Sequence, residues 1–178
     1  WTDPLTPLVG LALLAVLAGV LFKISAVPLH FWCPDVFEGA PLPIATWLSV
    51  ASKAAGVVLL LRLVHLMGAS AGASEPAGVA ALLVGGAALL ATITIFWANL
   101  AAFRQSNVRR LLAYSSIAHA GYMLCAAAVI PGTGSDSGVL SAVAQYLLVY
   151  LFMNFGAFFC LGLVRADSDS EELAAFTG

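Results

Sequence analysis

Charge is what this chain has least of. Of its 178 residues only 9% are Asp, Glu, Lys or Arg, against about 25% in soluble globular domains. The seven Lys and Arg are scattered through apolar sequence, so the basic patch of a nucleic-acid surface is missing. Cysteine is sparse as well. Cys33, Cys125 and Cys160 stand far apart without metal-ligand spacing and read as small apolar fillers of helices. GxGxxG, Walker A, paired CxxC and HExxH patterns do not occur, which leaves no sequence signature for a nucleotide, flavin, iron–sulfur or zinc site. The chain begins Trp1-Thr2-Asp3, without an initiator Met or a signal-peptide n-region, and is read as an internal piece of a longer protein.

What remains is apolar. Hydrophobic residues make up 62% of the chain, and the mean hydropathy is +1.02. These values point to an integral membrane protein of the all-α class, a polytopic transmembrane helix bundle. The expected organisation is one membrane domain over residues 1–178, with spans at about 5–32, 44–67, 79–103, 108–129 and 139–164 and a polar segment 165–178. The first span should be broken near Ser25–Pro28. Pro28 has no N–H and deprives the Ile24 carbonyl of its usual partner, and the Lys23 ammonium is the expected replacement. Cys33 to Pro43 reads as a turn, because Pro34, Asp35, Gly39, Pro41 and Pro43 punctuate it. Arg104, Arg109 and Arg110 in a short turn, with Arg165 after the fifth span, put those ends and the first turn on the cytoplasmic side. Glu171 to Phe176 suits a short interfacial helix.

Within this apolar text two lysines stand out. Lys23 lies about 9 residues before the turn and Lys53 about 9 after Pro43, which places each roughly 14 Å deep, close to half of a ~30 Å hydrocarbon core. Charges at that depth are costly and mark function. The residues around Lys53 are small (Ser49, Ala51, Ser52, Ala54, Ala55, Gly56) and allow close helix approach. On this reading the two ammonium groups face each other. His119 falls roughly 17 Å from its helix start, Asn154 at a similar depth and Thr92 at roughly 18 Å. A layer of polar groups parallel to the membrane is the layout of a proton relay. A lysine out of water beside a like charge can gain and lose a proton near neutral pH, histidine does so unaided, and hydroxyl groups can hold bridging water.

Blander readings exist for each residue. Lys23 and Lys53 could snorkel toward an interface. His119, Asn154, Thr92 and the tyrosines could simply bond neighbouring helices. The arginines could serve topology alone, and Asp35 and Glu38 could be solvated loop residues.

The stretch FKISAVPLHFWCPDVFEGAPLPIATWLSVASKAAG resembles the seventh-to-eighth helix region of subunit N of NADH–quinone oxidoreductase, respiratory complex I. RQSNVRRLLAYSSIAHAGYM resembles the tenth helix of the same family and YLLVYLFMNFGAFFCLG its eleventh. PDVFEGAP is the most specific part. Phe37 stands where Tyr is common, and Cys33 occupies a variable position. The resemblance implies an antiporter-like bundle of inverted repeats with broken helices. It implies roles for Lys23 as the broken-helix lysine, Lys53 as the bridging lysine and His119 as the tenth-helix station of a proton relay. It further implies a non-redox subunit of a translocase that binds no cofactor itself, in a complex using NADH, FMN, Fe–S clusters and quinone. Its partners would be the other complex I membrane subunits and the lipid bilayer, in a bacterial plasma membrane. The family's fifth-helix glutamate and twelfth-helix lysine lie outside this text. The alternative is a stand-alone Mrp-type cation/proton antiporter subunit.

Overall fold

In hydrocarbon a backbone amide finds no water, so a spanning segment must satisfy its own hydrogen bonds as a helix. The protein follows this rule. Its structure, a computed structural model, describes residues 5–70, 77–133, 136–168 and 171–176. The order of elements is α1 (Leu5–Ile24), α2 (Trp32–Gly39), α3 (Leu42–Trp47), a π-helical turn (Leu48–Ser52), α4 (Lys53–Ser70), α5 (Ala77–Ala102), α6 (Val108–Thr133), α7 (Asp136–Ser168) and a short 3-10 turn (Leu173–Phe176). Five stretches are long and apolar enough to cross a membrane: Pro7–Ile24, Leu42–Met67, Val84–Ala102, Val108–Ile130 and Gly138–Asp167. The described residues contain no strand beyond an isolated bridge between Asn107 and Glu172. The chain is thus an all-α membrane bundle, as its composition requires.

The second and fourth spans form the centre, with 50% and 56% of their residues buried, against 11% in the first and 17% in the third. Two apolar clusters divide the core by depth. One joins Val20, Ile24, Val57, Leu61, Met123 and Leu124. The other, nearer α2, joins Cys33, Phe37, Ala98, Ile117, Phe158 and Leu161. Close approach depends on glycine at two places. A Cβ on Gly121 would lie 2.7 Å from Ile95 Cγ1 and 3.1 Å from the Ile95 nitrogen, so the α5–α6 hairpin can close only without a side chain there. A Cβ on Gly56 would lie 2.5 Å from Ile24 Cγ2, and the same reasoning holds for α1 against α4.

The first span is broken where Pro28 foretold. α1 ends at Ile24, Ser25 turns into the left-handed region at φ 61°, and the Val27–Pro28 peptide is cis. The backbone groups released there find partners on other elements. The Val27 N–H donates to Thr94 Oγ1 of α5 at 3.1 Å, and the Trp32 indole N–H donates to the Phe22 carbonyl at 3.0 Å. Lys23 makes no hydrogen bond among the described residues, and the carbonyl that the indole bonds is that of Phe22, not the Ile24 carbonyl expected to pair with the Lys23 ammonium. The expected turn over Cys33–Pro43 also needs correction. Trp32–Gly39 is a two-turn helix. Pro34 sits in its first turn, where a missing N–H costs nothing.

Candidate functional site

Lys53 opens α4 near the middle of the Leu42–Met67 span and is 1% exposed. The π-helical turn Leu48–Ser52 immediately precedes it. A π turn holds one residue more than the α pattern, and such turns gather at functional sites. Here it sets the angular position of Lys53 relative to α3. Two short side chains bond backwards in this stretch, Thr46 Oγ1 to the Leu42 carbonyl at 2.8 Å and Ser49 Oγ to the Thr46 carbonyl at 2.7 Å, which is how Ser and Thr loosen a helix locally.

The Lys53 ammonium donates to Ser116 Oγ of α6 at 2.6 Å and lies 3.8 Å from Cys33 Sγ of α2. The Phe37 ring stands 6.0 Å away, at the limit of a cation–π contact. Ser116 itself donates to the Ala113 carbonyl at 2.9 Å. Beyond Ser116 the polar groups continue along α6 and α7. The buried Tyr150 hydroxyl donates to the Ser49 carbonyl at 3.2 Å. The Tyr150 ring lies 4.9 Å from the half-buried imidazole of His119. His119 Nδ1 is hydrogen-bonded to the Tyr146 hydroxyl. Polar side chains of three helices thus stand between Lys53 and His119.

The other expected residues are placed differently. Lys23 is exposed. Its stem crosses α4 at Gly56, one turn beyond Lys53, where a Cβ would lie 3.6 Å from Lys23 Cγ. The Lys23 stem thus packs on α4 while the residue as a whole is exposed, whereas Lys53 is enclosed. Asn154 is buried and donates to the Tyr150 carbonyl at 3.0 Å, while Thr92 is exposed and bonds its own helix at the Ala88 carbonyl. Thr94, two residues on in the same span, is the threonine that docks the broken span. Ser116 and Tyr150 are polar residues of the fourth and fifth spans. Their spacing from His119 and Asn154, three and four residues, was the signal that places them on one helix face.

At the α2 end of the bundle the arginines make specific contacts. Arg109 is 3% exposed and bonds backbone carbonyls of α2 and its exit. Arg110 pairs with Asp35 at 2.9 Å and Glu38 at 2.6 Å, so the two carboxylates of the first turn are partnered rather than simply solvated.

Taken together, an interrupted span, a widened second span and a buried amine held by a hydroxyl and a thiol define an antiporter-like membrane bundle. Comparison with known proteins is specific. The family model described as "NADH:quinone oxidoreductase/Mrp antiporter, TM" matches residues 5–178, and the chain belongs to that family. It is 46% identical over 171 residues to an NADH-quinone oxidoreductase subunit N of Chlorobium chlorochromatii, covering 94% of this chain and 32% of the relative. It is 47% identical to a subunit N 2 of Solibacter usitatus, covering 98% and 33%. A structure of respiratory complex I from Thermus thermophilus with bound aureothin contains a chain with TM-score 0.63 and 35% identity, covering 88% of this chain and 31% of that one. A chain of an archaeal membrane-bound sulfane sulfur reductase superposes with TM-score 0.73 at 28% identity, covering 90% and 30%. The chain spans about a third of the length of the curated relatives it matches.

Proposed function

We propose that the chain is part of a proton-translocating membrane subunit of a bacterial respiratory NADH–quinone oxidoreductase, lodged in the plasma membrane beside other membrane subunits. The relatives are named as subunits of that enzyme. In this reading the chain performs no redox step. NADH, FMN, Fe–S clusters and quinone are handled by other parts of the complex. Among the described residues no group of His, Cys, Asp and Glu could hold a metal ion.

The observation that carries the reading is Lys53. A fully buried amine inside a span, held by one hydroxyl and one thiol, is costly unless its proton is used. Lys53 takes a proton, passes it by way of hydroxyl groups or water near Ser116 and Tyr150, and His119 receives it. Lys23 is the next station, about one turn along α4 from Lys53, supported by the contact of its stem at Gly56. The charge on each amine changes the proton affinity of the next.

The test is Lys53→Met in the whole complex. Assembly should persist while proton yield per NADH and coupled quinone reduction fall at least several-fold. An assembled Lys53→Met complex with the normal proton yield would sink the proposal. The family description also covers Mrp antiporters. Sodium-dependent proton exchange by vesicles carrying the full-length protein without other subunits would favour that second reading.

A further inference from the structure

We infer that Arg109 is a positioning residue for Lys53, acting through α2, and that Glu171 after the last span holds Arg109 in place. The inference rests on the relay reading of Lys53 and adds a residue which that reading does not contain.

Arg109 sits in the first turn of α6 and is almost wholly buried. Its Nη1 donates to the Glu38 carbonyl at 2.8 Å and the Ala40 carbonyl at 2.7 Å, with the Phe37 carbonyl at 3.4 Å. These are the carbonyls at and just beyond the end of α2, which a helix leaves unsatisfied. A guanidinium there closes the helix and complements the negative end of its dipole. Its Nη2 pairs with Glu171 at 2.8 Å, and Glu171 also pairs with Arg165 at 3.0 Å. The backbone fixes the same junction, since the Val108 N–H donates to the Glu171 carbonyl and the Leu173 N–H to the Ser106 carbonyl, both at 2.9 Å.

What α2 carries gives this clasp its consequence. Cys33 and Phe37, both fully buried, are its two contacts with the Lys53 ammonium. Arg109 is also seven residues, about two turns, before Ser116 on α6, so the residue that holds α2 and the hydroxyl that holds Lys53 share one helix face. α2 is thereby the cytoplasmic wall of the Lys53 enclosure. A wall made of an eight-residue helix has little stability alone. Loosening it admits water to Lys53 without touching a relay residue. The ionisable side chains on the elements packed around Lys53 are Cys33 on α2, His119 on α6 and Tyr146 and Tyr150 on α7.

The experiment uses the assembled complex in inside-out vesicles, with Cys125 and Cys160 replaced by Ser so that Cys33 is this chain's only thiol. Arg109→Gln and Glu171→Gln are compared with the parent for labelling of Cys33 by a small charged methanethiosulfonate from the cytoplasmic face, and for the pH profile of proton yield per NADH. Glu171→Gln removes the ion pairs to Arg109 and Arg165 but leaves the Arg109 bonds to the α2 carbonyls, and serves if Arg109→Gln fails to assemble. Expected results are labelling at least ten-fold faster and a displaced pH profile. Parent-like labelling, or faster labelling with an unmoved profile, overturns the inference. Lys53→Met in the same vesicles separates the two ideas. If it pumps normally the relay reading is wrong, whereas if it is inactive and the arginine variant behaves like the parent, only the role of Arg109 is wrong.

Discussion

At the scale of single residues, the partners of Lys53 are unequal. A hydroxyl at 2.6 Å is a strong acceptor for an ammonium group, and a thiol at 3.8 Å is a weak one. Hydrogen bonds to charged groups are worth about 1.5–3 kcal/mol, so Ser116 should matter more than Cys33. Ser116→Val is expected to lower proton yield per NADH several-fold with assembly intact, Ser116→Thr to retain most of it, and Cys33→Ala to change it least. Flow measurements of proton uptake against NADH oxidation would check the ranking. The two adjacent arginines differ for a similar reason. The Arg110 pairs are solvent-exposed and screened, and should contribute under about 1 kcal/mol. Arg110→Gln should therefore leave the thermal unfolding of the purified complex almost unchanged, while Arg109→Gln strips buried carbonyls of their donor and should lower it measurably.

At the scale of elements, two devices decide the geometry. The first is the π-helical turn before Lys53. Deleting Val50 and Ala51 together removes the extra residue and one more, so the turn relaxes to the α pattern and Lys53 rotates by about 100° relative to α3, away from Ser116; deleting Ala51 alone should leave its direction nearly unchanged. Helix content by circular dichroism should hold while proton yield collapses. Full pumping by an assembled double-deletion variant would show that the direction of Lys53 is incidental. The second device is the α5–α6 hairpin, closed over Gly121. Gly121→Leu forces the helices apart and should cost about 1–3 kcal/mol, read as a lower unfolding midpoint in detergent. Gly85→Ala, at an exposed site with nothing within 4 Å, is the control and should be neutral or slightly stabilising.

For the whole molecule, the uneven burial of the spans has a meaning. α4 and α6 form the core, and α1 and α5 each turn a broad apolar face outward. Orientation follows from the arginine-rich turns. Asp35→Cys, exposed beside Arg110, should be labelled by an impermeant thiol reagent from the cytoplasmic side, and His65→Cys, toward the other end of α4, from the opposite side. Labelling of both from one face would invert or discard the topology.

Sequence alone determined that the chain is helical and membranous, that its first span breaks near Pro28 and that Lys53 lies deep within a span. These follow from solvent physics acting on local text: apolar length sets spans, proline removes a donor, and a charge far from any loop must be buried or used. It did not reveal that Lys23 stands outside while Lys53 stands inside, that Thr94 rather than Thr92 binds the break, or that Arg109 closes α2. Each of those depends on which way a side chain points once helices pack, and residues one or two positions apart on a helix look to different neighbours. Tertiary structure decided them because a hydrogen bond needs an angle as well as a depth, and only the packed bundle supplies the angle.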